Sequence, residues 1–278
     1  EITMVPAALS RTLKSKTGFK KERISKNYTL NTGHVYFFYD KGLYLNKSRA
    51  YKQAKKMIDE GADCLDIGGE SSGPDSSSVS INDELSKVIP LIKAIRKESN
   101  IWISVDTSKA EVARQSIEEG ADIINDVTAM RFDPKMSSVI SKYNVPIVLM
   151  YSKDDTPRTS KKKIEYEDVM KTIKNFFSER LRFAESEGID KKQIILDPGM
   201  GFFISKKEKY SFEVIARISE LHEFGLPLLL GPSKKSFLSK FSKKNALDFA
   251  ERDIPCSVVS CIALLQGVTI LRYHEVYQ

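Results

Sequence analysis

Cysteine is scarce in this chain, and its spacing argues against two classes of protein. Three cysteines occur in 278 residues, Cys64, Cys256 and Cys261, and no two of them have the CxxC spacing of a zinc site. An odd number without a regular pattern also argues against a disulfide framework. Unpaired thiols are typical of a reducing compartment, so we expect a cytoplasmic protein.

Long apolar runs are missing as well. No stretch reaches the roughly 18 residues that a membrane span requires, and no charged and apolar leader opens the sequence. We therefore expect neither a membrane-spanning segment nor a secretory signal. Hydrophobic residues make up 41% of the chain and charged residues 29%, which is the composition of a folded globular protein.

Positive charge is concentrated at the start of the chain. The net charge is +7, and residues 1–30 carry seven basic and two acidic residues, a net of +5, which leaves +2 for residues 31–278. A basic arm can contact nucleic acid, but the chain has no zinc finger, no helix-turn-helix signature and no interleaved basic and aromatic residues. We interpret residues 1–30 as a basic extension or linker and expect no nucleic-acid partner.

Short apolar runs alternate with longer amphipathic segments from Gly33 onward. The segments around Leu85–Ile95 and Val169–Ala184 repeat apolar residues at three- and four-residue steps, which predicts helices. The runs between them are nearly continuous, as in strands buried on both faces of a parallel sheet. These predicted strands are His34–Phe38, Cys64–Gly69, Trp102–Thr107, Ile123–Val127, Pro146–Tyr151, Ile194–Gly199, Pro227–Ser233 and Thr269–His274.

Eight strand–helix units predict an α/β protein with the TIM (β/α)8 barrel fold over residues 31–278, preceded by the basic extension. The alternative is an open, doubly wound sheet. That fold would be favoured by a glycine-rich phosphate loop after the first strand, and the sequence has none there.

Two sets of polar residues lie where the predicted strands end, which is where active sites of such barrels are found. Asp106, Asn125 and Asp197 form a carboxylate and amide set that could hydrogen-bond a flat heterocycle bearing amino and ring N–H groups. The second set is cationic and belongs to strands seven and eight, a recurrent phosphate site. Its members are Lys234, Lys235, Arg272 and His274. Each residue alone has a structural explanation, as a helix cap, a solvated lysine or a local hydrogen-bond partner, so the prediction rests on their coincidence at one barrel mouth.

Six segments resemble the dihydropteroate synthase family, and they occur in the family's order between Gly33 and Val276. They are DIGGESS (66–72), ISVDTSKAEVA (103–113), INDV (124–127), ILDPGMGF (195–202), GPSKKSF (231–237) and LRYHEV (271–276). The resemblance implies a transferase of folate biosynthesis. It would condense 6-hydroxymethyl-7,8-dihydropterin diphosphate with p-aminobenzoate, giving 7,8-dihydropteroate and diphosphate, with Mg²⁺ as the usual cofactor.

The resemblance also implies residue roles. Asp106, Asp197 and Lys235 would be catalytic, through a mechanism in which diphosphate departs and the aniline nitrogen attacks a pterin cation. The substrate-binding set would comprise Ser72, Asp106, Asn125, Met150, Asp197, Phe202, Gly231, Ser233, Lys234, Lys235, Arg272 and His274. Within this set Ser72, Arg272 and His274 would hold the diphosphate, and Phe202 and residues 232–234 would flank the aminobenzoate. The family further implies a homodimer, a sulfonamide target and, in some members, fusion to a pterin pyrophosphokinase.

Several positions depart from the family pattern. The Asn-x-Thr-Pro-Asp-Ser-Phe loop expected after strand one is missing, because HVYFF (34–38) runs directly into YDKGLYL (39–45), so the metal ligands are unknown. No eighth helix follows strand eight before Gln278, and we expect the natural chain to contain both segments. Lys234 and Gly73 each stand where the family usually has Arg, and the Lys that usually follows Gly-Phe-Gly is replaced in GFFI (201–204), while the pterin set is intact.

Two other functions remain open on sequence alone. One is a pterin-dependent methyltransferase that serves a corrinoid protein; it could share Asp106, Asn125 and Asp197 but would not need Lys235, Arg272 and His274. The other is an inactive pterin-binding paralogue, which the missing first loop suggests.

Overall fold

The computed structural model describes residues 30–36, 47–241 and 252–274. Its strands are β1 (Leu30–Tyr36), β2 (Cys64–Gly68), β3 (Trp102–Asp106), β4 (Ile123–Asp126), β5 (Ile147–Met150), β6 (Ile194–Asp197), β7 (Leu229–Leu230) and β8 (Ile270–Tyr273). Its α-helices are α1 (Lys47–Asp59), α2 (Ile81–Glu98), α3 (Ala110–Glu118), α4 (Met136–Tyr143), α5 (Val169–Ser186), α6 (Glu208–Arg217) and α7 (Asp253–Leu265). Short 3₁₀ helices include Gly201–Phe203 and Ser236–Phe241.

The eight strands form one parallel sheet in the order β6-β5-β4-β3-β2-β1-β8-β7. A parallel bridge between Leu196, in β6, and Leu228, beside β7, joins the two ends of this order and closes the sheet. The predicted (β/α)8 barrel is confirmed, and the open doubly wound sheet is wrong. The seventh strand is shorter than predicted because Pro227 and Pro232 flank it, and proline cannot donate to a ladder.

Alternate residues of each strand face opposite sides of the barrel wall. Odd and even positions separate cleanly in β2, where Leu65 and Ile67 pack in the main core that contains the helices and Cys64 does not. A second, separate cluster fills the interior of the barrel. It consists of Cys64, Ile123, Val148, Ile195, Leu229 and Ile270, with Trp102 packed against it. Each strand from β2 to β8 contributes one residue to this interior layer.

The two predicted amphipathic segments are helices, and each begins at a capping side chain. Ser80 caps α2 by accepting from the backbone N–H of Asp83 at 3.1 Å, and Asp168 caps α5 by accepting from Lys171 at 2.9 Å. The predicted apolar stripe of α5 is buried at Val169, Ile173, Phe177 and Ala184. In α2 the buried apolar residues are Val88, Leu91, Ile92 and Ile95, whereas Leu85 and Ile89, which share the predicted spacing, are only partly buried.

Some expectations fall outside the described residues. These are the basic extension over most of residues 1–30, the segment 39–45 next to the missing first loop, and the eighth helix beyond residue 274. β1 begins at Leu30, one residue before the predicted barrel boundary. Within the described ranges, no helix is long and apolar enough to cross a membrane. All three cysteines are free, Cys64 and Cys256 buried and Cys261 exposed.

Candidate active site

A polar layer lies directly above the apolar interior of the barrel. Side chains two residues apart on a strand face the same side, so the residue two positions after each interior apolar residue also faces inward. On β2, β4, β6 and β8 these second residues are Asp66, Asn125, Asp197 and Arg272. Each is at most 5% exposed. These four residues therefore form a buried polar floor at the barrel mouth, directly above the apolar layer.

Arg272 and Asp66 are at the centre of this floor. Arg272 Nη1 donates to Asp66 Oδ2 over 3.3 Å, and Asn125 Nδ2 donates to the same oxygen at 2.9 Å. Arg272 Nη2 lies 3.7 Å from Asp197 Oδ2. The guanidinium thus stands between two buried carboxylates from opposite parts of the sheet. Charged groups are tolerated at such burial only when they are paired and hydrogen-bonded.

Asp197 is held by both a charge and a backbone donor. Its Oδ1 accepts from the N–H of Gly199 at 2.8 Å. Burial raises the pKa of Asp197 above its ordinary value, while Arg272 and the Gly199 N–H act in the opposite direction. Gly199 has φ +68°, and a Cβ at this position would lie 2.3 Å from the carbonyl oxygen of Tyr151. Only glycine fits this close approach between the chain after β6 and the end of β5.

The side-chain amide of Asn125 is only partly hydrogen-bonded within the described part of the chain. Its amide group donates to Asp66, but Oδ1 is buried and has no hydrogen-bond partner among the described residues. Leaving a buried acceptor unpaired costs about 1–3 kcal/mol. A ligand that offers an N–H or amino donor at this point would recover that cost.

Lys235 lies over an aromatic ring at the same mouth. Its Nζ is 4.9 Å from the centroid of Phe203, which clusters with Val127 and Met150. Burial, together with the positive charge of Arg272, lowers the pKa of Lys235 to about 8, although Asp197 and Asp106 oppose the shift. This lysine is therefore poised to change its charge near neutral pH.

The loops after β7 and β8 meet at Ser233 and His274. Ser233 Oγ lies 3.0 Å from His274 Nδ1 and accepts from the His274 backbone N–H over 3.3 Å. Gly231 packs against the guanidinium of Arg272, where a Cβ would come within 3.1 Å of Nε and Nη2. Lys234 enters the arrangement through its backbone, with φ +56° and a carbonyl that accepts from Arg252 Nη1 at 2.8 Å. Ser236 begins a 3₁₀ helix that follows this loop.

Ser72 shares a recess with Asp106 on the opposite side of the mouth. The recess is lined by Glu70, Ser71, Ser72, Glu84, Asp106, Thr107, Ser108, Val127 and Pro157. Pro157 comes from the long loop between β5 and α5, and Arg158 of that loop pairs with Glu70. The guanidinium of Arg158, from the loop after β5, therefore contacts the loop after β2, where Gly73 stands in place of the family's arginine.

Three residues of the site were missed by the sequence prediction. Asp66 lies within the DIGGESS segment, and its position two residues after Cys64 was the available signal. Phe203, one residue after the predicted Phe202, is the ring beneath Lys235. Lys153 donates to the carbonyl of Phe202 at 2.7 Å, and nothing in its serine- and lysine-rich surroundings indicated burial. No group of three or more His, Cys, Asp or Glu that could hold a metal ion occurs among the residues described by the structure.

Comparison with known proteins identifies relatives along almost the whole barrel. A family model described as pterin binding enzyme matches residues 36–274. Dihydropteroate synthase from Synechocystis sp. is 38% identical over 239 residues, which cover 86% of this chain and 81% of that protein. The structure of Yersinia pestis dihydropteroate synthase with a sulfonamide drug superposes with a TM-score of 0.84 at 33% identity, covering 91% of this chain and 90% of that one. Xanthomonas albilineans dihydropteroate synthase with 4-aminobenzoic acid superposes with a TM-score of 0.82 at 31% identity, covering 91% and 89%.

Proposed function

Because the chain belongs to the dihydropteroate synthases of the pterin-binding enzyme family, we propose that its barrel mouth divides the substrates between the two sets of residues described above. The protein is a transferase of folate biosynthesis. It condenses 6-hydroxymethyl-7,8-dihydropterin diphosphate with p-aminobenzoate and releases 7,8-dihydropteroate and diphosphate.

The carboxylate and amide set holds the pterin. Asp106, Asn125 and Asp197 face the same interior, and the unused Oδ1 of Asn125 is an acceptor for a ring N–H or amino group. Met150 and Phe203 pack together next to this set and offer an apolar face to the flat ring. Lys235 contacts the pterin edge from above Phe203, between the charges of Asp106 and Asp197.

The cationic set holds the diphosphate. Arg272 is fixed by Asp66 and Asp197, so its planar fork is oriented before the substrate arrives. Ser233 and His274 follow β7 and β8 at the same mouth, and Ser72 faces the leaving group from the second loop. The observation that carries the proposal is this contact of Arg272 with Asp66 and Asp197, because it joins an anion-binding cation to the pterin set in one network.

The proposed reaction begins with ionisation of the C–O bond between the pterin methylene and diphosphate. As the C–O bond to diphosphate breaks, its electrons leave with diphosphate, and the positive charge that develops on the pterin methylene is stabilised by the carboxylates of Asp106 and Asp197. The aniline nitrogen of p-aminobenzoate, flanked by Phe202 and residues 232–234, then forms the C–N bond and loses one proton. No protein nucleophile takes part.

Binding of two pterins tests this division. Arg272→Ala should weaken binding of the pterin diphosphate by roughly 2–4 kcal/mol and leave binding of the 6-hydroxymethyl pterin without diphosphate nearly unchanged, as measured by isothermal titration calorimetry. Arg114→Ala is the control, since Arg114 is a surface arginine of α3 that pairs with Glu111 and Glu118. Equal loss for both pterins would contradict the proposal.

We propose that Mg²⁺ is bound mainly by the substrate. Mg²⁺ prefers oxygen ligands and often binds through substrate phosphates with few protein carboxylates. Among the described residues, no three His, Cys, Asp or Glu side chains are grouped as a metal site. We propose that Mg²⁺ enters as a complex with the pterin diphosphate. Chelation with EDTA should then lower the rate, and restoring Mg²⁺ should recover it.

A homodimer is supported by the exposed face of α7. Ile254, Val258, Ile262 and Leu265 recur at helical spacing and are 78, 54, 42 and 84% exposed. We propose that this apolar stripe packs against a second copy of the chain. Ile254→Glu should shift the sedimentation coefficient from dimer to monomer. Ile81→Glu, on an exposed residue of α2, should leave it unchanged.

Three further expectations follow from the family. We propose that the chain binds sulfonamides at the aminobenzoate site, which competition between a sulfonamide and p-aminobenzoate would test. The cytoplasm is its proposed compartment, consistent with three free thiols. A fused pterin pyrophosphokinase domain preceding residue 1, and the role of residues 1–30 as a linker, are tested by the complete open reading frame.

A further inference from the structure

The ammonium group of Lys153 is buried at the barrel mouth and surrounded by oxygens. Lys153 lies three residues after β5, and its side chain is 3% exposed. Nζ donates to Asp154 Oδ2 at 2.6 Å, Thr159 Oγ1 at 2.9 Å, Ser160 O at 2.7 Å and Phe202 O at 2.7 Å. Only one of these four partners is a carboxylate, so the charge is held mainly by neutral oxygens.

These contacts tie three loops of the mouth together. Besides the bond from Nζ to the Phe202 carbonyl, the Lys153 backbone N–H donates to the carbonyl of Phe203 at 2.9 Å. Thr159 adds two more links, from Oγ1 to Phe202 O at 2.9 Å and from its N–H to Ser72 O at 3.1 Å. The loop after β5 is therefore hydrogen-bonded to two consecutive carbonyls of the loop after β6 and to one carbonyl of the loop after β2.

Phe202 and Phe203, whose carbonyls accept these hydrogen bonds, carry side chains that are proposed to face the substrates. The ring of Phe203 lies beneath Lys235 Nζ and packs with Met150, and Phe202 is the residue assigned to flank the aminobenzoate. A buried ammonium is costly unless fully hydrogen-bonded, and an apolar residue would serve the fold as well or better. What Lys153 adds is a fixed spatial relation between the β5 and β6 loops.

We propose that Lys153 is a positioning residue for the aminobenzoate subsite, with its ammonium group holding Phe202 in place through the backbone carbonyl. The proposal rests on the function proposed above. It separates the two substrates, because the carbonyl of Phe203, whose ring faces the pterin, is bonded by the backbone N–H of Lys153 and not by its ammonium group. Loss of the ammonium should therefore impair use of p-aminobenzoate far more than use of the pterin diphosphate.

Steady-state kinetics of Lys153→Met test this separation. The variant retains the length and burial of the side chain but cannot donate to the carbonyl. We expect the KM for p-aminobenzoate to rise about tenfold or more, the KM for pterin diphosphate to change less than about threefold, and kcat to fall less than the aminobenzoate kcat/KM. The matched control is Lys161→Met, in the same loop, where the side chain is 49% exposed and pairs with Asp75.

Thr159→Val provides a second variant if Lys153→Met does not fold. It removes one ligand of the ammonium and one bond to the Phe202 carbonyl, and a rise of about threefold in the aminobenzoate KM is expected. Kinetics of Lys153→Met and Thr159→Val equal to those of Lys161→Met would overturn the inference alone. An equal rise in both KM values would also overturn it. A wild-type chain that binds pterin diphosphate without turnover would overturn the proposed function and this inference together.

Discussion

Arg272, on the last strand, donates to Asp66, on the second, across 3.3 Å between Nη1 and Oδ2. The two side chains are 5% and 1% exposed, and Asn125 donates to the same carboxylate oxygen. Asp66 thus orients one residue of the cationic set and one of the pterin set. The barrel mouth is consequently a single electrostatic unit, in which the residues proposed to hold the pterin and the leaving group share a partner.

Asp66→Asn should lower kcat/KM for pterin diphosphate by about a hundredfold, because the amide leaves Arg272 next to a neutral group and competes with Asn125 for acceptors. Steady-state kinetics measure the loss. Asp75→Asn is the control, since Asp75 is an exposed partner of Lys161 in the loop after β2. Equal kinetics in the two variants would show that Asp66 does not orient the site.

Asp106→Asn should reduce kcat strongly, by about a hundredfold or more, since a neutral amide cannot stabilise the positive charge that develops on the pterin. Its effect on binding of the uncharged hydroxymethyl pterin should be smaller, because the amide oxygen can still accept a hydrogen bond. Single-turnover kinetics separate the two effects. An unchanged chemical rate in this variant would exclude Asp106 from the reaction.

The pH profile should show an alkaline limb from Lys235. Burial lowers the pKa of this lysine to about 8 from 10.5, so kcat/KM should be constant below pH 8 and fall above it as the ammonium is lost. Stability should move in the opposite direction. Because the folded pKa lies below the unfolded one, the unfolded chain binds more protons between these values, and the free energy of unfolding contributed by this group rises with pH in that window.

Lys235→Arg separates the limb from other titrations. Arginine stays protonated over this range, so the alkaline limb should disappear even if activity at pH 7 is reduced. A limb that persists in Lys235→Arg would assign it to another group. Thermal unfolding of the wild type across the same pH values would exclude denaturation as its cause.

Two glycines with the same backbone conformation should respond differently to alanine. Gly199 and Gly225 have φ values of +68° and +69°, but a Cβ would lie 2.3 Å from the Tyr151 carbonyl oxygen at the first and meet nothing within 4 Å at the second. Gly225→Ala should therefore cost about 1–2 kcal/mol of stability from backbone strain alone. Gly199→Ala should cost more and also reduce activity, because its N–H positions Asp197. Denaturant unfolding compares the two, and equal losses would contradict the close contact.

The barrel could be predicted because its signal is local. Runs of Val, Ile and Leu such as Ile194–Asp197 are buried on both faces, and helices with an apolar stripe separate them, so the order of elements determines the architecture. Strand ends were less certain. The predicted strand 227–233 is only Leu229–Leu230 in the structure, because the flanking prolines cannot donate hydrogen bonds to a ladder. The apolar character of the run did not indicate where the ladder would end.

The site was only partly predictable, for reasons that differ between residues. Asp106, Asn125 and Asp197 follow apolar runs directly, so the ends of the strands indicated them. Asp66 stands inside its run, and its contact with Arg272 joins residues 206 positions apart, which are brought together because β2 and β8 both pair with β1. Lys153 lies in a loop rich in serine and lysine, where exposure is the ordinary expectation; its burial depends on how the loop folds over the chain after β6.

The most direct test of the account is diphosphate release by the purified chain. With 6-hydroxymethyl-7,8-dihydropterin diphosphate, p-aminobenzoate and Mg²⁺ present, we predict one diphosphate released for each 7,8-dihydropteroate formed, with Asp106→Asn and Arg272→Ala both strongly impaired. Tight binding of the pterin substrate without formation of either product would contradict the account.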